Sequence, residues 1–184
     1  MKTLKELRSH NLRNVSSPDL CFSRIKDLPK RFLDFDVFLP SKGMNLQREK
    51  VWNLTQKREL IISIFLERFI PNVCIMSMIN CEEKDENGKW KDDILQVIDG
   101  KQRLTTLIDF LNNEFTIEME GQEYFFKDLP EDYQNAYLYK EVKGQLAYED
   151  VKIRFTDQDK IDWFRRINFF GVPQDIEHIN KLMK

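Results

Sequence analysis

The chain has 184 residues, 41% of them hydrophobic and 33% charged, with a formal net charge of −2, the balance of one globular domain long enough to bury a core. No apolar run approaches the roughly 20 residues that span a bilayer, and no signal-type apolar core comes after the N-terminal lysines, so no membrane partner and a cytoplasmic location are expected. Three cysteines, Cys21, Cys74 and Cys81, form no CxxC pair and argue against a disulfide framework or a zinc site, and the near-neutral charge gives no bulk support to a dedicated nucleic-acid binder.

Residues 1–35 read as an irregular N-terminal arm. Thr3 and Glu6 have capping-box spacing for a short helix, but Ser16-Ser17-Pro18 and Pro29 break any regular pattern beyond it. Val37, Phe38 and Leu39 predict a short strand ended by Pro40, and Ser41-Lys42-Gly43 begins a loop that carries Gln47 and Arg48. Asn53 and Gln56 predict a capped helix start, after which Leu60, Ile61, Ile64, Phe65 and Phe69 recur at helical spacing until Pro71. Two basic clusters stand out, Lys26, Lys30 and Arg31, then Arg48, Lys50, Lys57 and Arg58, while acids gather from Glu82 to Glu86. Such runs are usually solvated faces, and a local DNA-binding face is the alternative.

Val73 to Ile79 is an apolar run of strand length. The polar stretch from Cys81 to Asp93, with Asn87-Gly88 inside it, links that run to a second strand ending at Asp99, which predicts an antiparallel pair. Phe115 to Met119, a Glu120-Gly121 turn and Glu123 to Phe126 read as a hairpin, and a tyrosine-rich helix begins after Pro130. Val151, Ile153 and Phe155 alternate with Lys152 and Arg154 as in a half-buried strand. Ile161, Phe164 and Ile167, then Ile176, Ile179 and Leu182, mark closing helices. Strands and helices mixed in this way predict a single α+β domain.

The most informative stretch runs from Val97 through Asp99-Gly100-Lys101-Gln102-Arg103 to Leu107. A β-branched run stops at an acid, Gly100 permits a tight turn, and Leu104, Leu107, Ile108 and Leu111 resume at helical spacing. The N–H groups and positive dipole end of the new helix favour an anion, and Arg103 stands where it can clamp one bidentately. A buried strand-turn-helix with a surface arginine is the competing explanation, and no Walker-type Gly-x4-Gly-Lys-Ser/Thr pattern is present.

Ile98 to Leu107 resembles the IDGQQRLTTL motif of the GmrSD-type restriction family. Upstream, Gln47-Arg48 and Trp52, then Leu60 to Ile64 and Ile70-Pro71, match the order of that family's Gln-Arg-x-x-x-Trp segment, helix and Ile-Pro phrase. Downstream, Phe164 to Pro173 resembles its F-x-R-x-N-x-G-x-P segment, with Phe169 and Phe170 where small residues are usual. The resemblance spans roughly residues 36–184 and implies a ParB/sulfiredoxin-like mixed sheet flanked by helices, preceded by the arm of residues 1–35. It implies a nucleotide-dependent domain of modification-dependent restriction or anti-phage systems, often coupled to a C-terminal His-Asn-His-type nuclease domain. The two histidines here, His10 and His178, lie in no such pattern, which argues against a complete histidine-metal nuclease centre in this sequence, and a separate nuclease subunit is one alternative. Lys101 replaces the glutamine usual at its position.

The expected site therefore joins three distant segments at element ends. Asp99, Gln102 and Arg103 are the expected catalytic residues: Asp99 holds Mg²⁺, Gln102 orients a hydrolytic water and Arg103 clamps phosphate. Gln47, Arg48, Gly100, Lys101, Thr105, Asn168 and Gly171 are expected to bind the nucleoside triphosphate. Trp52 is read first as a packing residue and second as a base-stacking one, and Asn168 has helix capping as its alternative role. Three function classes stay open: an Mg²⁺-dependent nucleotide hydrolase or ParB-like nuclease, a nucleotide- and DNA-binding sensor or clamp without turnover, and an adaptor that binds a defence protein.

Overall fold

The computed structural model describes residues 16, 20–47, 49, 52–68, 70–78, 94–149 and 154–169. The expected helix near Thr3, the alternating Val151 and Ile153, and the last expected helix lie outside them, as do Arg48 and Gly171.

In chain order the elements are β1 (Leu20–Arg24), a 3₁₀ turn (Ile25–Lys30), β2 (Leu33–Asp34), β3 (Phe38–Leu39), β4 (Met44–Asn45) and α1 (Leu54–Phe65). Next come β5 (Val73–Met78), β6 (Ile94–Asp99), α2 (Lys101–Leu111), β7 (Ile117–Met119), β8 (Gln122–Tyr124), a short 3₁₀ turn (Phe126–Asp128), α3 (Glu131–Tyr139), β9 (Glu141–Tyr148) and α4 (Asp157–Phe169). Five strands make one mixed sheet in the order β1-β9-β5-β6-β2. β5 runs antiparallel to β6, as expected, and parallel to β9. Two small hairpins, β3-β4 and β7-β8, accompany it. The architecture is thus the expected α+β.

Local sequence explains the helix starts. Asn53 accepts from the Gln56 N–H while the Gln56 side chain accepts from the Asn53 N–H, the reciprocal capping box that the spacing predicts. At the β7-β8 turn, Glu120 and Gly121 both have positive φ, 51° and 77°, the mirror-image turn that matches strand twist.

The sheet is covered on both faces. Val73, Ile75 and Val97 enter one core with Leu60, Ile61, Leu104, Phe110 and Tyr137, carried by α1, α2 and α3. Cys74, Met76 and Ile98 alternate to the other face, under Ile161, Trp163 and Phe164 of α4. Each layer buries large side chains completely, at about 25 cal/mol per Å² of apolar surface.

Two parts of this sheet depart from what the sequence pattern suggests. Within the arm, β1 pairs with β9, and the arm contributes Phe22, Ile25 and Leu28, at most 5% exposed, to the core. β9 itself carries Lys143, Gly144 and Gln145 at its centre, which break apolar alternation. Gly144 is there for space: a Cβ would lie 2.8 Å from the Val73 Cγ2 and 2.9 Å from the Val73 carbonyl oxygen.

Candidate functional site

The turn from β6 into α2 packs against one side chain, Val73. Gly100 has φ +105°, and a Cβ at that position would sit 2.6 Å from the Val73 Cγ1, so a side chain is excluded by strain and by space alike. Val73 is therefore wedged between Gly100 and Gly144. Because the chain reverses so sharply, Arg103 in the first turn of α2 comes back over the end of β6. Its Nη2 lies 2.7 Å from Asp99 Oδ2, and both side chains are 17% exposed. The same nitrogen donates to the Asn72 carbonyl at 3.0 Å. Arg103 Nε is buried with no hydrogen-bond partner among the described residues.

Cys74 is the register partner of Asp99 on β5. Burial pushes its thiol up to about 12, the Asp99 carboxylate adds to the rise, and Arg103 opposes it. Cys74 is buried, at 7% exposure, within the apolar run of β5.

On the other side of the turn, α2 is tied to the Gln47–Trp52 segment. β2 leaves β6 after Asp34 and Gln96, and Gln47 Nε2 then donates to the Val97 carbonyl, so a side-chain amide continues the ladder where the strand stops. Gln102 Nε2 donates to the Glu49 carbonyl at 3.1 Å, and its Oε1 accepts from the Trp52 N–H at 3.4 Å. The two segments singled out in the sequence, about fifty residues apart, therefore meet, with Gln102 as the link. Trp52 itself packs half-buried against the core of α1 and α2.

Other expected residues are occupied structurally. Lys101 is 4% exposed and pairs with Asp36 Oδ1 at 2.5 Å, so its charge is answered from within. Thr105 is buried and its hydroxyl donates to the Lys101 carbonyl at 2.9 Å. Asn168 lies in α4, on the opposite face of the sheet from α2, and donates to the Phe164 carbonyl at 2.7 Å. No described contact joins it to Asp99 or Arg103.

Arg103 lines a cleft of about 650 Å³ between the Glu67–Val73 segment, α2 and the start of β9. Arg68, Lys140 and Lys143 share the rim with Glu67 and Glu141, over a floor that includes Ile64, Leu104 and Leu107. Four cations, of which Arg103 is already paired with Asp99, stand with two rim carboxylates, a modest positive excess that suits an anion with an apolar portion. Sequence order gives no signal for Arg68, Lys140 and Lys143, which reach the cleft from loops and a strand with no spacing that links them to Arg103.

Among the described residues no group of three or more His, Cys, Asp or Glu side chains is placed to hold a metal. Asp99 is a single carboxylate beside a cleft. Its charge is already matched by Arg103, so a cation held here would need most of its ligands from water or from a bound phosphate.

A family model described as GmrSD restriction endonuclease, N-terminal domain, matches residues 37–181. No curated protein and no solved structure matches the chain.

Proposed function

This chain belongs to the family of GmrSD restriction endonuclease N-terminal domains, the family of a restriction-type defence component, and on that premise we propose that it is a nucleoside-triphosphate-binding domain that hydrolyses its ligand. The observation that carries the proposal is Arg103. It stands in the first turn of α2, paired with Asp99, with its Nε unpartnered among the described residues, on the wall of the cationic cleft. Helix N–H groups and a guanidinium together suit the spread charge of a polyphosphate. The ParB/sulfiredoxin-like fold implied by the sequence resemblance is part of this proposal.

Arg103 takes the phosphates, Arg68, Lys140 and Lys143 neutralise them, and the apolar floor receives the remainder of the nucleotide. Asp99 positions the guanidinium before the ligand arrives. With Arg103 on phosphate, the Asp99 carboxylate would be free to orient water, and Asp99 is the residue that would hold a Mg²⁺ ion. The bound ion would supply charge neutralisation at the transferring phosphoryl group. Gln102 ties Glu49 and Trp52 to α2, and Arg48 is a further proposed phosphate contact. DNA is the proposed target of the system.

The second reading is binding without turnover, as a sensor or clamp. It is favoured by the Asp99–Arg103 pair itself, because if the pair stays closed the matched carboxylate does no more than aim the guanidinium. Titration of the four ribonucleoside triphosphates with Mg²⁺, and phosphate release with and without DNA, separates the two. Binding with release supports the hydrolase, binding alone supports the sensor, and no binding defeats both.

A further inference from the structure

The basic cluster Lys26, Lys30 and Arg31 has no role in the nucleotide cleft, and the structure gives two of its members a specific setting. Lys30 and Arg31 line a separate groove of about 540 Å³ on the first face of the sheet. Its floor is Phe22, Leu95 and Leu146, and its rim carries Phe32 and Tyr148. Phe32 is 63% exposed and Tyr148 40%. A single exposed ring is ordinary surface, but here two exposed aromatic rings, two cations and an apolar floor are contiguous in one groove, and it is that combination that is informative.

We infer that this groove binds single-stranded DNA, with bases stacked on Phe32 and Tyr148 and phosphates met by Arg31 and Lys30. The charge pattern selects this occupant. A purely apolar protein partner gains nothing from the cations, whereas a nucleic-acid strand presents a π-face and a charge at every residue, and aromatic rings interleaved with cations are how single strands are held without sequence preference. The groove has room for a nucleotide or two. Asp27 lies on the same rim and pairs with Lys30 at 3.5 Å. Arg31 is therefore the cation more available to phosphate, although one of its nitrogens also donates to the Phe22 carbonyl at 3.4 Å. The choice of DNA rests on the reading of the chain as part of a restriction system, and nothing in the groove depends on the nucleotide cleft.

Fluorescence anisotropy of a labelled oligothymidylate, titrated with the full chain in the absence of nucleotide, tests the inference. Saturable binding is expected, with an unlabelled duplex of the same length a poor competitor. Phe32→Ala and Tyr148→Ala should each weaken binding by about tenfold, the scale of one lost base stack. Arg31→Gln should lower the salt dependence of log Kd by about one unit of slope, as for one lost phosphate contact. Phe38→Ala, an exposed aromatic on the β3-β4 hairpin, should change nothing, and circular dichroism melts establish that each variant folds. Absence of binding by the wild-type chain, equal affinity in both aromatic variants, or equal competition by duplex would each overturn the inference. So would self-association that Phe32→Ala abolishes while the oligonucleotide fails to bind. Nucleotide titration of the same variants keeps the two sites apart, since loss of one leaves the other standing.

Discussion

Asp99 ends a strand and Arg103 lies in the first turn of a helix, yet their side chains meet at 2.7 Å as an i, i+4 pair. That spacing is ordinary within one helix. Here it spans a strand-helix junction and depends on Gly100, whose left-handed backbone folds α2 back over β6. The pair thus couples the Gly100 turn to the wall of the cleft.

Asp99→Asn removes the charge and keeps the size. Because both side chains are mostly buried, losing a charged hydrogen bond should lower stability by about 1.5 to 3 kcal/mol, read from urea unfolding. Nucleotide binding should persist, since Arg103 is then unopposed, while phosphate release stops. Phosphate release at the wild-type rate would remove Asp99 from the chemistry.

Gly100→Ala meets two penalties at once. A non-glycine residue in the left-handed region costs about 1 to 2 kcal/mol, and crowding against Val73 about 1 to 3 kcal/mol more. Adding Val73→Ala relieves only the second, so the double variant should lose less stability than the two single losses added together. Denaturation midpoints of the three proteins check this, and a fully stable Gly100→Ala would show the turn to be unstrained.

Gln102→Glu keeps the acceptor for the Trp52 N–H and turns the donor to Glu49 into a second acceptor facing a carbonyl. Hydrogen exchange in the Gln47–Trp52 segment should rise while global stability changes by under about 1 kcal/mol, the scale of one neutral hydrogen bond. Unchanged protection of that segment would mean that Gln102 is not what holds it.

The buried Cys74 thiol should resist alkylation at pH 8 in the folded protein and react once urea is added. Its folded value, raised to about 12, exceeds the unfolded one, so its contribution to stability is fully present at neutral pH. That contribution declines as pH rises past about 8.5, the unfolded thiol value, toward the folded one. Tyr137, buried and also raised, acts in the same direction. A flat stability profile from about pH 8 to pH 11 would contradict the burial of these groups.

Much of the site was legible because its signals are local. The Asn53 and Gln56 spacing marked the start of α1, and the Asp99-Gly100 break marked the junction of β6 and α2. Sequence order alone could not show that Gln102 would reach the Glu49 carbonyl and Trp52 N–H, nor that Lys101 would spend its charge on Asp36, because both depend on how the β2–β4 region returns over β6. β1 and β9 escaped for a related reason. Neither alternates cleanly, and Gly144 looks like a strand breaker until Val73 is seen filling the space it leaves. The cations of the cleft were invisible because Arg68, Lys140 and Lys143 converge only in three dimensions.

Whether Arg103 holds a nucleotide phosphate is decided most directly by calorimetric titration of wild type and Arg103→Lys with each of the four ribonucleoside triphosphates. A lysine keeps the charge but not the fork. Saturable one-to-one binding is expected of the wild type, and an affinity lower by about 1.5 to 3 kcal/mol, roughly tenfold to a hundredfold, in a variant that still folds. Equal affinities, or no binding of any of the four in the presence of Mg²⁺, would contradict the proposed role and leave Arg103 as the structural partner of Asp99 alone.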